Sequence, residues 1–133
     1  MSFTPDMASA SHRHLQAADV LEGGNGRAVA GYLYGLAAEC AVKAMMLEAG
    51  IRQLSQNEKS DDPYYAHFPH LRVMLRESLE GRSATVLRRF IEDDNFFSYW
   101  DIKIRYCRRD QVLERWIDTW RDQARQVVSA IGT

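Results

Sequence analysis

Between Arg27 and Gly50 the chain reads RAVAGYLYGLAAECAVKAMMLEAG, its longest apolar run. On a helix, Gly31, Gly35, Ala38 and Val42 fall within one narrow arc, because steps of three and four residues return to the same face. The other faces carry Val29, Tyr32, Leu33, Leu36, Cys40, Ala41, Met45 and Leu47. A helix that is apolar nearly all round must be buried on nearly all sides. The pattern therefore predicts the central helix of a bundle, with a stripe of small residues that lets another helix come close. Glu39 and Lys43 interrupt it. Their i, i+4 spacing, acid first, permits a pair along the helix worth about 0.5 kcal/mol when exposed.

The flanking segments are punctuated as helices. Thr4-Pro5-Asp6 reads as an N-cap, a proline at the first helical position and an acid in the first turn, opening a helix that runs to Glu22. Gly23-Gly24-Asn25-Gly26 ends it in a tight turn that makes the first two helices antiparallel neighbours. Gly50 suits the end of the central helix. Residues 51–66 lack a period and read as a loop, with Tyr64, Tyr65 and Phe68 able to fold back onto the bundle. A third helix is expected from Pro69-His70 through Leu71, Met74, Leu75 and Leu79 to Gly81. Ser83 then caps a fourth, with Val86, Leu87, Phe90 and Ile91 inward. Its bases (Arg82, Arg88, Arg89) come early and its acids (Glu92, Asp93, Asp94) late, against the helix dipole. From Trp100 to Tyr106 apolar and charged residues alternate. With no partner strand, that stretch is expected to continue a helix or to form a short extended connector whose alternate side chains reach the core. Asp110 is placed to cap a last helix to about Ala130, whose stripe is Leu113, Trp116 or Ile117, Trp120, Ala124, Val127 and Ile131.

Composition narrows the class. The 133 residues suit one domain, residues 1–133, and 46% apolar with 26% charged content is ordinary for a globular chain. A net charge of −1 supplies no global basic field for nucleic acid or membrane. Two cysteines, Cys40 and Cys107, are too few for a disulfide framework or a zinc site, and Cys40 reads as a small core residue. No segment approaches the ~20 apolar residues of a membrane span, and no apolar signal core opens the chain, so a cytoplasmic location is expected.

Three stretches in order carry a resemblance. They are Tyr32-Leu33-Tyr34-Gly35-Leu36-Ala37-Ala38-Glu39-Cys40-Ala41-Val42-Lys43-Ala44, then His67-Phe68-Pro69-His70-Leu71, then Trp100 with Arg105-Tyr106. Together the chain resembles the HEPN family (higher eukaryote and prokaryote nucleotide-binding domain). The resemblance implies an all-α, up-and-down bundle of four to five helices, often a homodimer. Many members are ribonucleases, acting as toxins or in RNA processing. Their signature is an arginine followed by a histidine four to six residues on, supported by an acid and a base on the second helix. Arg105 matches the arginine, and Glu39 with Lys43 matches the support.

The histidine is missing, since none follows His70. Metal-free RNA cleavage needs a base that works near neutral pH. Asp110 occupies the place, but an exposed aspartate with a pKa of ~3.9 is a weak base there. The function expected from the resemblance is a nucleotide- or RNA-associated binding module with a degenerate ribonuclease site, in a toxin–antitoxin or defence setting. The alternatives are an active metal-free endoribonuclease toxin and an interaction module for a nucleotidyltransferase-like partner. The ligand-binding candidates are Glu39, Lys43, Arg105, Tyr106 and Arg109, with Asp110 a weak catalytic candidate. A buried Glu39 would need a cation, for which Arg105 is the natural candidate. Arg105, Arg108 and Arg109 with Tyr106 can hold phosphate and stack on a base. His12, His14, His67 and His70 lack a carboxylate or cysteine at ligand spacing, so neither a metal nor a cofactor is expected. The glycine turn is no nucleotide fingerprint, because no strand precedes it.

Overall fold

The computed structural model describes residues 3–52, 62–79 and 84–133. Among them the fold is all-α, with five helices and no strand: α1 Met7–Glu22, α2 Arg27–Glu48, α3 His70–Ser78, α4 Thr85–Ile91 and α5 Glu114–Ser129. The expected helical bundle is therefore present, and no described helix is long and apolar enough to cross a membrane.

The central helix is α2. Its face-independent apolar content buries it between α1 and α5, and its residues from Ala30 to Met46 are mostly enclosed. The stripe of small residues serves two different neighbours. At Gly31 a Cβ would meet Ile117 and Trp120 of α5 at 3.2 Å, so here a helix does come close. At Gly35 a Cβ would lie 1.8 Å from Cε2 of Trp100. The notch is filled by an indole rather than by a helix, and Trp100 Nε1 donates to the Gly31 carbonyl at 3.1 Å.

Polar ties fix α1 and α5 against α2. Arg27 bonds Glu22 at 3.2 Å and Asp118 at 2.6 Å, and Arg121 reaches Glu22 at 2.8 Å. The buried Tyr34 hydroxyl lies 2.7 Å from Asp19 and 2.6 Å from Glu22, so a residue on the core helix is anchored to the acids of α1.

Several boundaries differ from the sequence expectation. Asp6, not Thr4, caps α1, its carboxylate accepting from Ser9 N at 3.0 Å; this leaves Pro5 outside the helix. α2 ends at Glu48, and Gly50 follows with φ of 79°, a conformation that glycine adopts freely. Of the expected loop, Pro63–Tyr65 forms a 3₁₀ turn. Tyr64 and Phe68 fold back as expected, but Tyr65 stays exposed. The stop at Gly81 and the cap at Ser83 lie outside the described residues. Asp110 does not cap α5: it sits in the 3₁₀ turn Arg109–Gln111, and the N-cap is Leu113, without a side-chain hydrogen bond.

The stretch from Phe96 to Tyr106 is neither continued helix nor extended connector. Successive turns carry Phe96, Phe97 and Trp100 into the core, and Ile102–Tyr106 then forms a 3₁₀ turn. Ile102 and Ile104 pack partly against the core while Lys103 and Arg105 stay out, so the inward alternation holds although the backbone is not extended. Phe97 and Tyr99 adopt φ of 53° and 71°, which costs a non-glycine residue about 1 kcal/mol or more. Burial of the aromatic cluster offsets that strain. Phe68, Phe96, Phe97 and Trp100 meet with ring centroids from 5.1 to 6.3 Å apart. Nη1 of Arg72 holds the turn from below, donating to the carbonyls of Asp93, Asp94 and Phe96.

Candidate functional site

Three charged side chains are buried among the described residues: Glu39, Lys43 and Asp62. They lie near one another. Helical spacing puts Glu39 and Lys43 on one face of α2, and both Glu39 and Asp62 act electrostatically on the Lys43 ammonium. Glu39 accepts from Phe68 N at 2.8 Å through one oxygen and contacts His67 Nδ1 at 2.8 Å through the other. Burial pushes the Glu39 carboxyl above its ordinary value, while His67, the Phe68 amide and Lys43 pull it back. Burial lowers the Lys43 ammonium, against the attraction of Glu39 and Asp62. Asp62 accepts from Tyr64 N at 2.9 Å, which shapes the segment leading back to α2.

The partner of Glu39 is thus His67, and not Arg105 as the sequence suggested. The physical reason is placement. His67 and Phe68 immediately precede α3 and lie over the Glu39 turn of α2, whereas Arg105 lies beside Ala28, Val29 and Tyr32. Glu39 is seven residues beyond Tyr32, about 10 Å along the axis. His67 is 44% exposed, so a buried carboxylate holds an imidazole that faces solvent. With Glu39 ionised, Nδ1 carries the proton and Nε2 remains as the other ring nitrogen.

The remaining candidates gather at the opposite end of α2. Arg105, Tyr106, Arg109 and Asp110 are all exposed. The Arg105 guanidinium lies over the Tyr106 ring, 4.8 Å from its centroid. Arg105 and Arg109 border a concavity of about 390 Å3 whose walls include Asn25, Val29, Tyr32 and Ile104. Tyr32 stacks at 10° on Trp100, with centroids 6.2 Å apart, so the wall is backed by the core. Asp110 lies 3.4 Å from Arg108 in an exposed pair. Cys107 is exposed at the same concavity, while Cys40 is half-buried rather than fully in the core, its thiol raised chiefly by burial.

The structure therefore separates what the sequence had grouped. Glu39 and Lys43 form a buried cluster with Asp62 and His67, whereas Arg105 and Arg109 border the exposed concavity, and Tyr106 lies against the Arg105 guanidinium outside its lining. Among the described residues, no histidine lines the concavity. No group of three or more metal-ligating side chains occurs among the described residues. Sequence reasoning did not pair His67 with Glu39. The available signal was the need of a buried helix acid for a donor, met by a histidine 28 residues away. No protein-family model, curated protein or solved structure matches the chain.

Proposed function

We propose that the chain is a HEPN-like nucleotide- or RNA-binding module whose ribonuclease site is degenerate. The observation that carries this reading is the concavity beside Tyr32, with Arg105 and Arg109 on its rim. A ring wall with guanidiniums at its edge suits an unstacked base and its phosphate, since stacking is worth about 1–3 kcal/mol per base and arginine binds phosphate through a fork of donors. Among the described residues, no carboxylate and no histidine lines this concavity to serve as a base. A homodimer and a toxin–antitoxin or defence setting belong to the same proposal, drawn from the resemblance.

The test is fluorescence anisotropy with a labelled ten-nucleotide single-stranded RNA at two salt concentrations. Arg105→Ala is expected to weaken binding at least tenfold and to flatten the salt dependence by about one phosphate contact. Because Arg105 is exposed, the circular dichroism spectrum should not change. Equal binding by Arg105→Ala and the parent, or no binding by either at low salt, would refute the reading.

The Glu39–His67 pair favours a second reading, an active metal-free endoribonuclease in which His67 is the base. RNA left intact in chelator by protein that binds it would exclude this while leaving the binding module in place.

A further inference from the structure

A separate concavity, of about 370 Å3, opens where the start of α3 meets the turns that follow α4. Phe68, Pro69, Phe96, Phe97, Tyr99 and Trp100 wall it, and Arg72, Ser98 and Asp101 supply its polar groups. It shares no lining residue with the concavity at Tyr32.

Arg72 is only half used. Its hydrogen bonds all leave from Nη1, to the carbonyls of Asp93, Asp94 and Phe96. Its Nε is buried without a hydrogen-bond partner, the one such side-chain nitrogen or oxygen among the described residues. A buried donor that lacks an acceptor is costly, and native interiors seldom keep one. In a planar guanidinium, Nε–H and one N–H of Nη2 point the same way. They form a two-donor edge that a carboxylate grips through both oxygens. Nη2 makes no hydrogen bond among the described residues either. Two acids of the same turns are engaged elsewhere. The Asp94 carboxylate feels the charge of Arg72 but is bonded to Arg76 at 2.5 Å, and Asp101 accepts from Lys103 N at 2.9 Å.

The backbone around this cavity is strained as well. Phe97 and Tyr99, the described non-glycine residues with positive φ, both line it. Such conformations persist where their surroundings hold them, and they gather at ligand sites. The Tyr99 residue is 71% exposed, so burial of its own ring does not account for its backbone.

We infer that this cavity binds a small monocarboxylate with an aromatic body, its carboxylate on the Nε–Nη2 edge of Arg72 and its ring against the aromatic wall. Rings of that wall can meet a ligand ring edge-on or offset. One guanidinium edge matches one carboxylate, and the Asp101 charge on the same lining disfavours a dianion such as phosphate. The site is independent of the nucleotide reading above.

The experiment is NMR titration of the 15N-labelled full chain with benzoate, with benzamide and inorganic phosphate as comparisons. The Arg72 Nε–H resonance, assigned through its side chain, is expected to move downfield as benzoate binds. Benzoate should bind at least tenfold more tightly than neutral benzamide, and Arg72→Lys should lose tenfold or more. Asp101→Asn keeps an oxygen for Lys103 N but removes the charge. It should tighten benzoate severalfold, a gain that a merely structural role would not produce. Should Arg72→Lys fail to fold, because Arg72 also holds three carbonyls, the benzamide comparison and Asp101→Asn still decide. Benzoate bound with the Arg72 Nε–H unmoved, or no more tightly than benzamide or phosphate, would overturn the carboxylate assignment. No binding of benzoate at about 10 mM would overturn the site. None of these outcomes bears on RNA binding, which is read separately through Arg105→Ala.

Discussion

Replacing Gly35 by alanine tests the packing on which the candidate cleft depends. On an ordinary helix this change adds about 1 kcal/mol of stability through helix propensity. Here the new Cβ would lie 1.8 Å from Cε2, 2.0 Å from Nε1 and 2.3 Å from Cζ2 of Trp100, well inside contact distance. The indole cannot slide away, because Phe68 abuts it, Tyr32 stacks on it and its Nε1 is bonded to the Gly31 carbonyl. Trp100 must leave its site or push α2 aside. Losing a buried tryptophan costs ~3–5 kcal/mol. A broken hydrogen bond adds about 1 kcal/mol, close to the propensity gain. The net loss expected is therefore about 3 kcal/mol or more, a large part of the ~5–15 kcal/mol that holds a domain folded. Urea denaturation followed by circular dichroism reads it as a lower midpoint at unchanged slope. Gly31→Ala is the control: its Cβ meets Ile117 and Trp120 at 3.2 Å, a contact relieved by a shift of a few tenths of an ångström, so it should fall within ~1 kcal/mol of the parent. In a Trp100→Ala background, Gly35→Ala should become neutral or stabilising. Equal midpoints for Gly35→Ala and the parent would refute the reasoning.

The buried charges give opposite pH signatures. Burial lowers the Lys43 ammonium, so the unfolded chain binds more protons between that lowered value and 10.5, and stability rises with pH across the window. Lys43→Met should abolish the rise and add about 1 kcal/mol at pH 7, read by denaturation across a pH series. Burial raises the Glu39 carboxyl, so the native chain binds more protons between 4.5 and the raised value, and stability falls as pH rises through it. Glu39→Gln should remove that fall, while an unchanged acid-side profile would count against the buried-carboxylate reading. Tyr34→Phe deletes the hydroxyl beside Asp19 and Glu22 and is expected to cost about 1–2 kcal/mol in the same assay.

Much of the helical layout was legible because it obeys local rules. The apolar run of α2 is continuous, the apolar stripe of α5 is periodic, and the Gly23–Gly26 turn is punctuation. The stretch around Trp100 was not legible, because its conformation answers to a notch on a distant helix. No period in the segment announces that Phe97 and Tyr99 will take positive φ to deliver an indole to Gly35. The cap of α5 was misplaced for a related reason: Asp110 has the right chemistry, but Arg109–Gln111 closes as its own 3₁₀ turn before the helix begins. For the candidate site, the residue types were visible and their grouping was not. Glu39 invited a cation, and the sequence offers many. Which of them lies over that turn of α2 depends on how the chain returns before α3.

The stack of Tyr32 on Trp100 divides the entropy of binding unevenly across the proposed site at the Tyr32 concavity. The Tyr32 ring is held by an indole that is itself pinned in the core, so it loses little freedom when a ring docks on it. Arg105 and Arg109 project from exposed turns, and each immobilised side chain costs about 0.5–1.5 kcal/mol. One half of such a site is preorganised and the other is ordered by its ligand. Affinity would then respond most to changes that stiffen the arginine-bearing turn from 101 to 111. A proline there, at a residue whose φ already suits it and whose N–H is unbonded, should tighten binding without adding a contact.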